Sequence, residues 1–211
     1  MSRADGGETP RAVVLEERGP VAVVRLNRPA ERNPLSASTL AELESLFPAL
    51  VARPDIRAVV FTGAGDVFAS GADIRELGRL SPDEARAFAR RGQSLFRQIS
   101  DARPLTVAAV NGYCFGGGLD LALACDLRFA SPGAAFAHPG ARLGIITGWG
   151  GTQRLPRLVG EARALEMFTT GRRLTAAEAL DWGLISGVGE DILELSLAAT
   201  EGCAFGLPSL L

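Results

Sequence analysis

Three consecutive glycines, Gly116-Gly117-Gly118, are followed after Leu119 by one acid, Asp120, at the head of an apolar stretch that runs to Cys125. If that stretch is a helix, its first N–H groups have no intrahelical acceptor and its dipole favours negative charge. The glycines would then let a carbonyl oxygen approach donors that stabilise an oxyanion. Asp120 falls in the first turn, either as a general acid or base beside that oxygen or as a carboxylate favoured by the dipole alone. Other chemistries have less support. All 22 basic residues are arginine, which removes Schiff-base lysines, covalent pyridoxal phosphate attachment and the P-loop lysine. A lone histidine, His138, cannot make a two-histidine metal site, and no Gly-x-Ser-x-Gly elbow accompanies it for a serine triad. Cys114, Cys125 and Cys203 lack the spacing of a zinc site and read as buried small hydrophobes. Three glycine clusters fail the dinucleotide fingerprint, because Phe68, Leu121 and Gln153 stand at its third glycine position.

Positioning such a site requires strands that end at glycine turns. Ala12 to Glu16 and Val21 to Leu26 flank Arg18-Gly19-Pro20 as a hairpin, and Ser36 to Val51 has helical spacing with Ser38 as its cap. Arg57 to Thr62 reads as a buried strand. Ser81-Pro82-Asp83-Glu84 starts a helix that runs to about Ile99. The strand Leu105 to Val110 ends at Asn111-Gly112 before the glycine run. Leu127 to Ala130 and Ala134 to Ala137 are two further strands. Helices then resume near Gly150, over Ala162 to Met167, over Ala176 to Trp182 and over Ile192 to Ala199. Strands alternating with helices predict an α/β core. The 211 residues, 47% apolar and 22% charged, fit one domain over 11–211 behind a frayed leader at 1–10. A net charge of -2 gives no attraction for nucleic acid, and no apolar run approaches the ~20 residues of a membrane span. A cytoplasmic location is the default expectation.

Four segments, in order, resemble the crotonase superfamily, the enoyl-CoA hydratase and isomerase family. They are Leu26-Asn27-Arg28-Pro29 with Asn33 and Leu35; Thr62-Gly63-Ala64-Gly65 through Phe68 to Ile74; Ala109 through Gly116-Gly117-Gly118-Leu119-Asp120 to Asp126; and Phe136-Ala137-His138-Pro139 through Gly150-Gly151-Thr152-Gln153-Arg154-Leu155. The resemblance implies a spiral of ββα units with a helical C-terminal region, trimers or pairs of trimers, and an acyl-CoA thioester substrate. Coenzyme A enters as part of that substrate, with no separate cofactor and no metal.

By motif position the resemblance makes the N–H groups of Ala72 and Gly117 the oxyanion hole for a thioester enolate. Ser70, Gly71, Asp73 and Ile74 fall where the family wraps the adenine and pantetheine, and Arg28 and Arg32 fall near the phosphates. Phe115, Gly116, Pro139 and Gly140 complete the residues that the resemblance implies for substrate binding. Of the two glutamates of family hydratases, the first is here Asp120, shorter by roughly 1.5 Å, and the second is Gly140, which has no side chain. Hydration of a 2-enoyl-CoA by Asp120 is the expected reaction. The alternatives are another thioester chemistry, a decarboxylase or hydrolase, or an acyl-CoA binder without turnover. Gly140→Glu is expected to raise activity if the site is otherwise intact. His138, two residues from Gly140, is expected to be structural, because a turn at Pro139-Gly140 breaks the strand alternation. Asp73 and Asp126 are also expected to shape rather than react, and Trp149 and Trp182 to be core aromatics. The chain stops at Leu211, which the resemblance reads as a shortened C-terminal helical region.

Overall fold

The computed structural model describes residues 11–201. The expected leader at 1–10, Cys203 and the rest of the sequence from 202 onward lie outside the described residues. A hairpin opens the chain, β1 (Val13–Arg18) against β2 (Val21–Leu26), antiparallel and joined at Gly19-Pro20. Helix α1 (Ala37–Val51) follows. Its cap is Ser36 rather than Ser38: the Ser36 hydroxyl accepts from the Thr39 N–H at 3.2 Å, two positions earlier than the apolar spacing suggests.

From there the chain repeats one pattern. A long strand joins a first sheet, a short strand joins a second, and helix follows. The three turns of this spiral begin with β3 (Ala58–Gly63) and β4 (Val67–Ala69), which lead to α2 (Ile74–Leu77) and α3 (Pro82–Ser100). Next come β5 (Leu105–Val110), β6 (Tyr113–Phe115) and α4 (Gly117–Ala124). The third has β7 (Leu127–Ala130), β8 (Ala135–Ala137), a 3-10 turn at Pro139–Leu143 and α5 (Gly151–Val159). Helix α6 (Glu161–Thr170), strand β9 (Leu174–Thr175), helix α7 (Ala176–Asp181), strand β10 (Gly187–Val188) and helix α8 (Ile192–Glu201) complete the described chain. The first sheet runs β1-β2-β3-β5-β7-β10 and is parallel beyond the hairpin. The second runs β4-β6-β8-β9, with only β9 antiparallel.

The short strands β4 and β6 and the helix α2 carry too few residues to show a period in sequence, yet the two strands are half of the second sheet. The long strands are legible because both of their faces are buried. Ala22, Val24, Leu26, Val59, Phe61, Ala108 and Val110 point into the main core between sheets and helices. Their neighbours Val21, Val23, Ala58, Val60, Val107 and Ala109 form a second cluster with Ile192 at the start of α8. Helix α3 starts where the sequence indicates, with Ser81 and Glu84 closing a capping box.

Two asparagines lock the loops that carry the site. Asn33, 1% exposed, accepts from the Arg28 N–H at 2.8 Å and donates to the Ala64 and Val67 carbonyls at 3.0 and 2.6 Å. Asn111 accepts from the Gly63 N–H at 3.0 Å and donates to the Gly65 carbonyl at 2.8 Å. The glycine turn after β3 is thereby fixed from both sides. Asp126 is structural, as expected, and accepts from the Thr106 N–H and hydroxyl, both at 2.8 Å. Cys114 and Cys125 are buried, free thiols. Trp149 is a core residue, whereas Trp182 is only half-buried, with Arg163 and Arg172 stacked over its ring at 4.9 and 5.3 Å.

Candidate active site

The loop after β4 and the N-terminus of α4 meet at Ala72 and Gly117. Gly116, before α4, takes φ 53°, ψ -121°, and Gly71, before Ala72, takes φ 95°, both conformations that favour glycine. A Cβ at Gly71 would lie 2.9 Å from the Gly117 nitrogen, and one at Gly117 would lie 3.4 Å from the Ala72 nitrogen. The two amides are therefore close neighbours. Among the described residues neither donates to an acceptor: Gly117 opens its helix, and Ala72 lies outside any ladder. The other two members of the glycine run have steric reasons. At Gly117 a side chain would overlap the Trp149 ring, and at Gly118 it would overlap the Ala69 carbonyl, so α4 packs directly on β4.

A cavity of about 600 Å³ opens at these amides. Ser70, Gly71, Ala72, Ile74, Gly116, Gly117, Pro139 and Gly140 line it, and so do His138, Thr147, Trp149, Phe88 and Phe168. Its mouth is apolar, with Ile74, Leu143, Ile145 and Ile146 all about half exposed or more. A second cavity of about 440 Å³ shares Ser70 with the first and is lined by Arg32, Phe115, Tyr113 and Arg173. The Arg173 guanidinium lies 5.3 Å from the Phe115 ring and 5.9 Å from that of Tyr113. Of the residues expected to bind substrate, two lie elsewhere. Arg28 lines neither cavity. Asp73 lines neither as well, because its carboxylate caps α2 and pairs with Arg75 at 2.8 Å, which holds its pKa down at about 2.

Asp120 is sealed behind the first cavity, with 0% exposure. One oxygen, Oδ2, accepts from the Thr147 hydroxyl and, at 3.2 Å, from the Trp149 N–H. The other, Oδ1, has no hydrogen bond and lies 3.7 Å from His138 Nε2. Burial raises the Asp120 pKa to about 6 against the lowering by the Thr147 hydroxyl, the Trp149 amide, the Arg154 charge and, least, the Gly151 amide. Burial likewise lowers the His138 pKa to about 4. Gly151, at the head of α5, leaves the room that Asp120 Oδ1 occupies.

Two expectations need correction. Gly140 is not an open position awaiting a carboxylate: a Cβ there would lie 2.6 Å from the Ile145 carbonyl oxygen, which folds back in the turn after Pro139–Leu143. His138 is buried as expected, but it faces the cavity and Asp120 rather than only the core. Strand β8 ends at Ala137, and the 3-10 turn begins at Pro139, so strand alternation cannot report where His138 points. Thr147, Phe88, Phe168 and Arg173 carried no sequence signal as site residues, since they sit on two loops and two helices without a shared motif.

The enoyl-CoA hydratase/isomerase family model matches residues 16–199. The chain is 42% identical over 179 residues to the short-chain-enoyl-CoA hydratase of Clostridium acetobutylicum, covering 84% of this chain and 69% of that protein. It is 42% identical over 177 residues to the crotonyl-CoA hydratase of Syntrophomonas wolfei, with 83% and 68% covered. The solved structure of enoyl-CoA hydratase from Bacillus anthracis superposes with a TM-score of 0.86 at 34% identity, covering 90% of this chain and 75% of that one. Glycine-shaped loops, paired free amides and sequence kinship agree: the chain belongs to the enoyl-CoA hydratase/isomerase family, the crotonase superfamily.

Proposed function

We propose that this chain adds water to a 2-enoyl-CoA, with the Ala72 and Gly117 N–H groups holding the thioester oxygen and Asp120 serving as general acid or base. The observation that carries this reading is the pair of unsatisfied amides at the end of an apolar cavity, backed by the positive end of α4. As the hydroxyl adds at C3, charge moves through C2 onto the thioester oxygen, and fixed donors favour that enolate over the ground-state carbonyl. Asp120 suits proton exchange near neutrality because burial brings its pKa to about 6. Thr147 lines the cavity and donates to Asp120, so its hydroxyl links the sealed carboxylate to the acyl space.

This reading puts the coenzyme A portion in the second cavity, where Arg32 and Arg173 would supply cations for its phosphates and Tyr113 and Phe115 flat neighbours for a base. Coenzyme A is then part of the substrate, and no separate cofactor takes part. A homotrimer or hexamer and a cytoplasmic location belong to the same reading, to be checked by sedimentation and by fractionation.

Loss of the enoyl-thioester absorbance with crotonyl-CoA and a longer enoyl-CoA tests the reaction. Wild type is expected to consume crotonyl-CoA, and Asp120→Asn, at matched thermal stability, to lose about 100-fold or more in kcat. No turnover in either, with CoA esters still raising the melting temperature, would leave an acyl-CoA binder in place of an enzyme.

A further inference from the structure

Among the described residues, four buried side-chain nitrogen or oxygen atoms lack a hydrogen-bond partner, and three of them belong to one pair: Asp120 Oδ1, His138 Nδ1 and His138 Nε2. Burying a polar atom without a partner is costly, so three together at a cavity wall call for a ligand with both a donor and an acceptor. The ring of His138 is held at 3% exposure by Phe168, whose centroid lies 5.0 Å away, and it lines the cavity that ends at Ala72 and Gly117. The other ionisable groups acting on Asp120 are Arg154 from α5 and the buried Cys114 thiol from β6. Neither replaces the imidazole, because only His138 combines a cavity position with a free nitrogen toward Asp120.

We propose that Asp120 and His138 act as one acid–base unit that holds the attacking water, the imidazole supplying the second functional group for which position 140 has no room. The inference rests on the hydratase reading above. A neutral imidazole carries one donor and one acceptor nitrogen, so it can bind a water while facing a carboxyl group. In the addition, one water proton passes to the unit as the water oxygen bonds C3. The π pair of C2=C3 moves through C2 to the thioester oxygen, held by the two amides. A proton then returns from the unit to C2, the carbonyl re-forms, and the unit is restored to its starting protonation.

The test compares the full chain with His138→Phe, which keeps the packing against Phe168, and His138→Gln, which keeps hydrogen bonding without a titrating ring. With crotonyl-CoA, kcat is expected to fall about 100-fold in His138→Phe and by at least tenfold in His138→Gln, with KM within about twofold. A kcat within about threefold of wild type in either folded variant overturns the proposal. If His138→Phe does not fold, His138→Gln decides alone by the same limits. A second readout, exchange of the α-hydrogens of butanoyl-CoA for deuterium in D2O, needs acid–base chemistry at C2 but no hydration. Exchange by wild type that His138→Phe or His138→Gln abolishes, without consumption of crotonyl-CoA, sinks the hydratase reading and sustains the acid–base unit. Wild type that does neither sinks both.

Discussion

The two halves of the site are built from different material. The amide half, Ala72 and Gly117, is backbone, and its geometry follows from positions where a side chain does not fit: Gly71 at φ 95°, Gly116 at φ 53°, Gly117 under the Trp149 ring and Gly118 on the Ala69 carbonyl. The side-chain half, Asp120, His138 and Thr147, is held by burial, with a single hydroxyl and one amide to anchor the carboxylate. Backbone donors fixed by sterics stabilise charge without reorganising, whereas buried side chains gain reactivity from desolvation and lose solvation for it. The first half leaves almost no room for a side chain, whereas the second depends on which side chains burial holds in place.

The largest effect should come from breaking the amide half. Gly71→Ala puts a Cβ on a left-handed residue and 2.9 Å from the Gly117 nitrogen, so the donor must move or the loop must unwind. A loss of 10²–10³ in kcat, the usual effect of removing an oxyanion donor, is expected, with reduced stability. Gly117→Ala sharpens the point because its obstruction is the movable Trp149 ring rather than backbone. Pairing Gly117→Ala with Trp149→Ala should recover part of the lost kcat, while Gly71→Ala should gain nothing from the same partner. Equal rescue of both would show that the ring, not the amide geometry, was limiting.

Gly140→Glu probes the other half with a smaller effect. Its Cβ would lie 2.6 Å from the Ile145 carbonyl oxygen, so the added carboxylate brings a backbone clash costing about 2–3 kcal/mol. Activity is expected to stay level or fall, and the unfolding midpoint in urea to drop. A rise in kcat at unchanged stability would mean that the turn over Pro139–Leu143 yields easily and that the side-chain half is merely incomplete.

Legibility followed the same division. Thr62-Gly63-Ala64-Gly65 and Gly116-Gly117-Gly118 announce themselves because steric exclusion leaves glycine as a visible mark. The long strands β2, β3 and β5 do so because both faces are apolar. The three-residue strands β4, β6 and β8 carry the site's loops yet are too short for period-2 reading, and only β8 was bracketed by sequence. His138 and Thr147 were opaque for a related reason. Each lies beside an irregular segment, the 3-10 turn at Pro139–Leu143 or the loop before α5, where direction depends on dihedral angles that no alternation records. Asp73 shows the converse, since motif position drew it toward the substrate while Arg75 claims its carboxylate; Arg28 gives Asn33 only its backbone N–H, yet it lines neither cavity.

The smallest effect is a difference of slopes with pH, and it isolates the Asp120–His138 pair. Asp120 keeps a proton in the folded chain up to about 6, against 3.8 for the ordinary carboxyl, because burial opposes its charge. Its contribution to stability is therefore present at low pH and lost as pH rises from about 4 to about 6. Folded His138 stays neutral down to about 4, against 6.5, for the same reason. Stability from that side is full above 6.5 and lost as pH falls toward 4. The two contributions oppose each other across one window, so the pair leaves wild type nearly level there. Removing one partner exposes the other. Relative to wild type, Asp120→Asn should gain stability as pH rises from 4.5 to 6, and His138→Phe should lose it, each by at most about 1.4 kcal/mol per pH unit. Urea midpoints at the two pH values supply the slopes, and subtraction of wild type cancels every other titrating group. Opposite signs in the two variants would establish that each residue titrates by itself, Asp120 held protonated and His138 held neutral in the folded chain. The same sign in both would mean that the proton is shared so tightly that neither residue titrates by itself, which would make the acid–base half a single group held as rigidly as the amides.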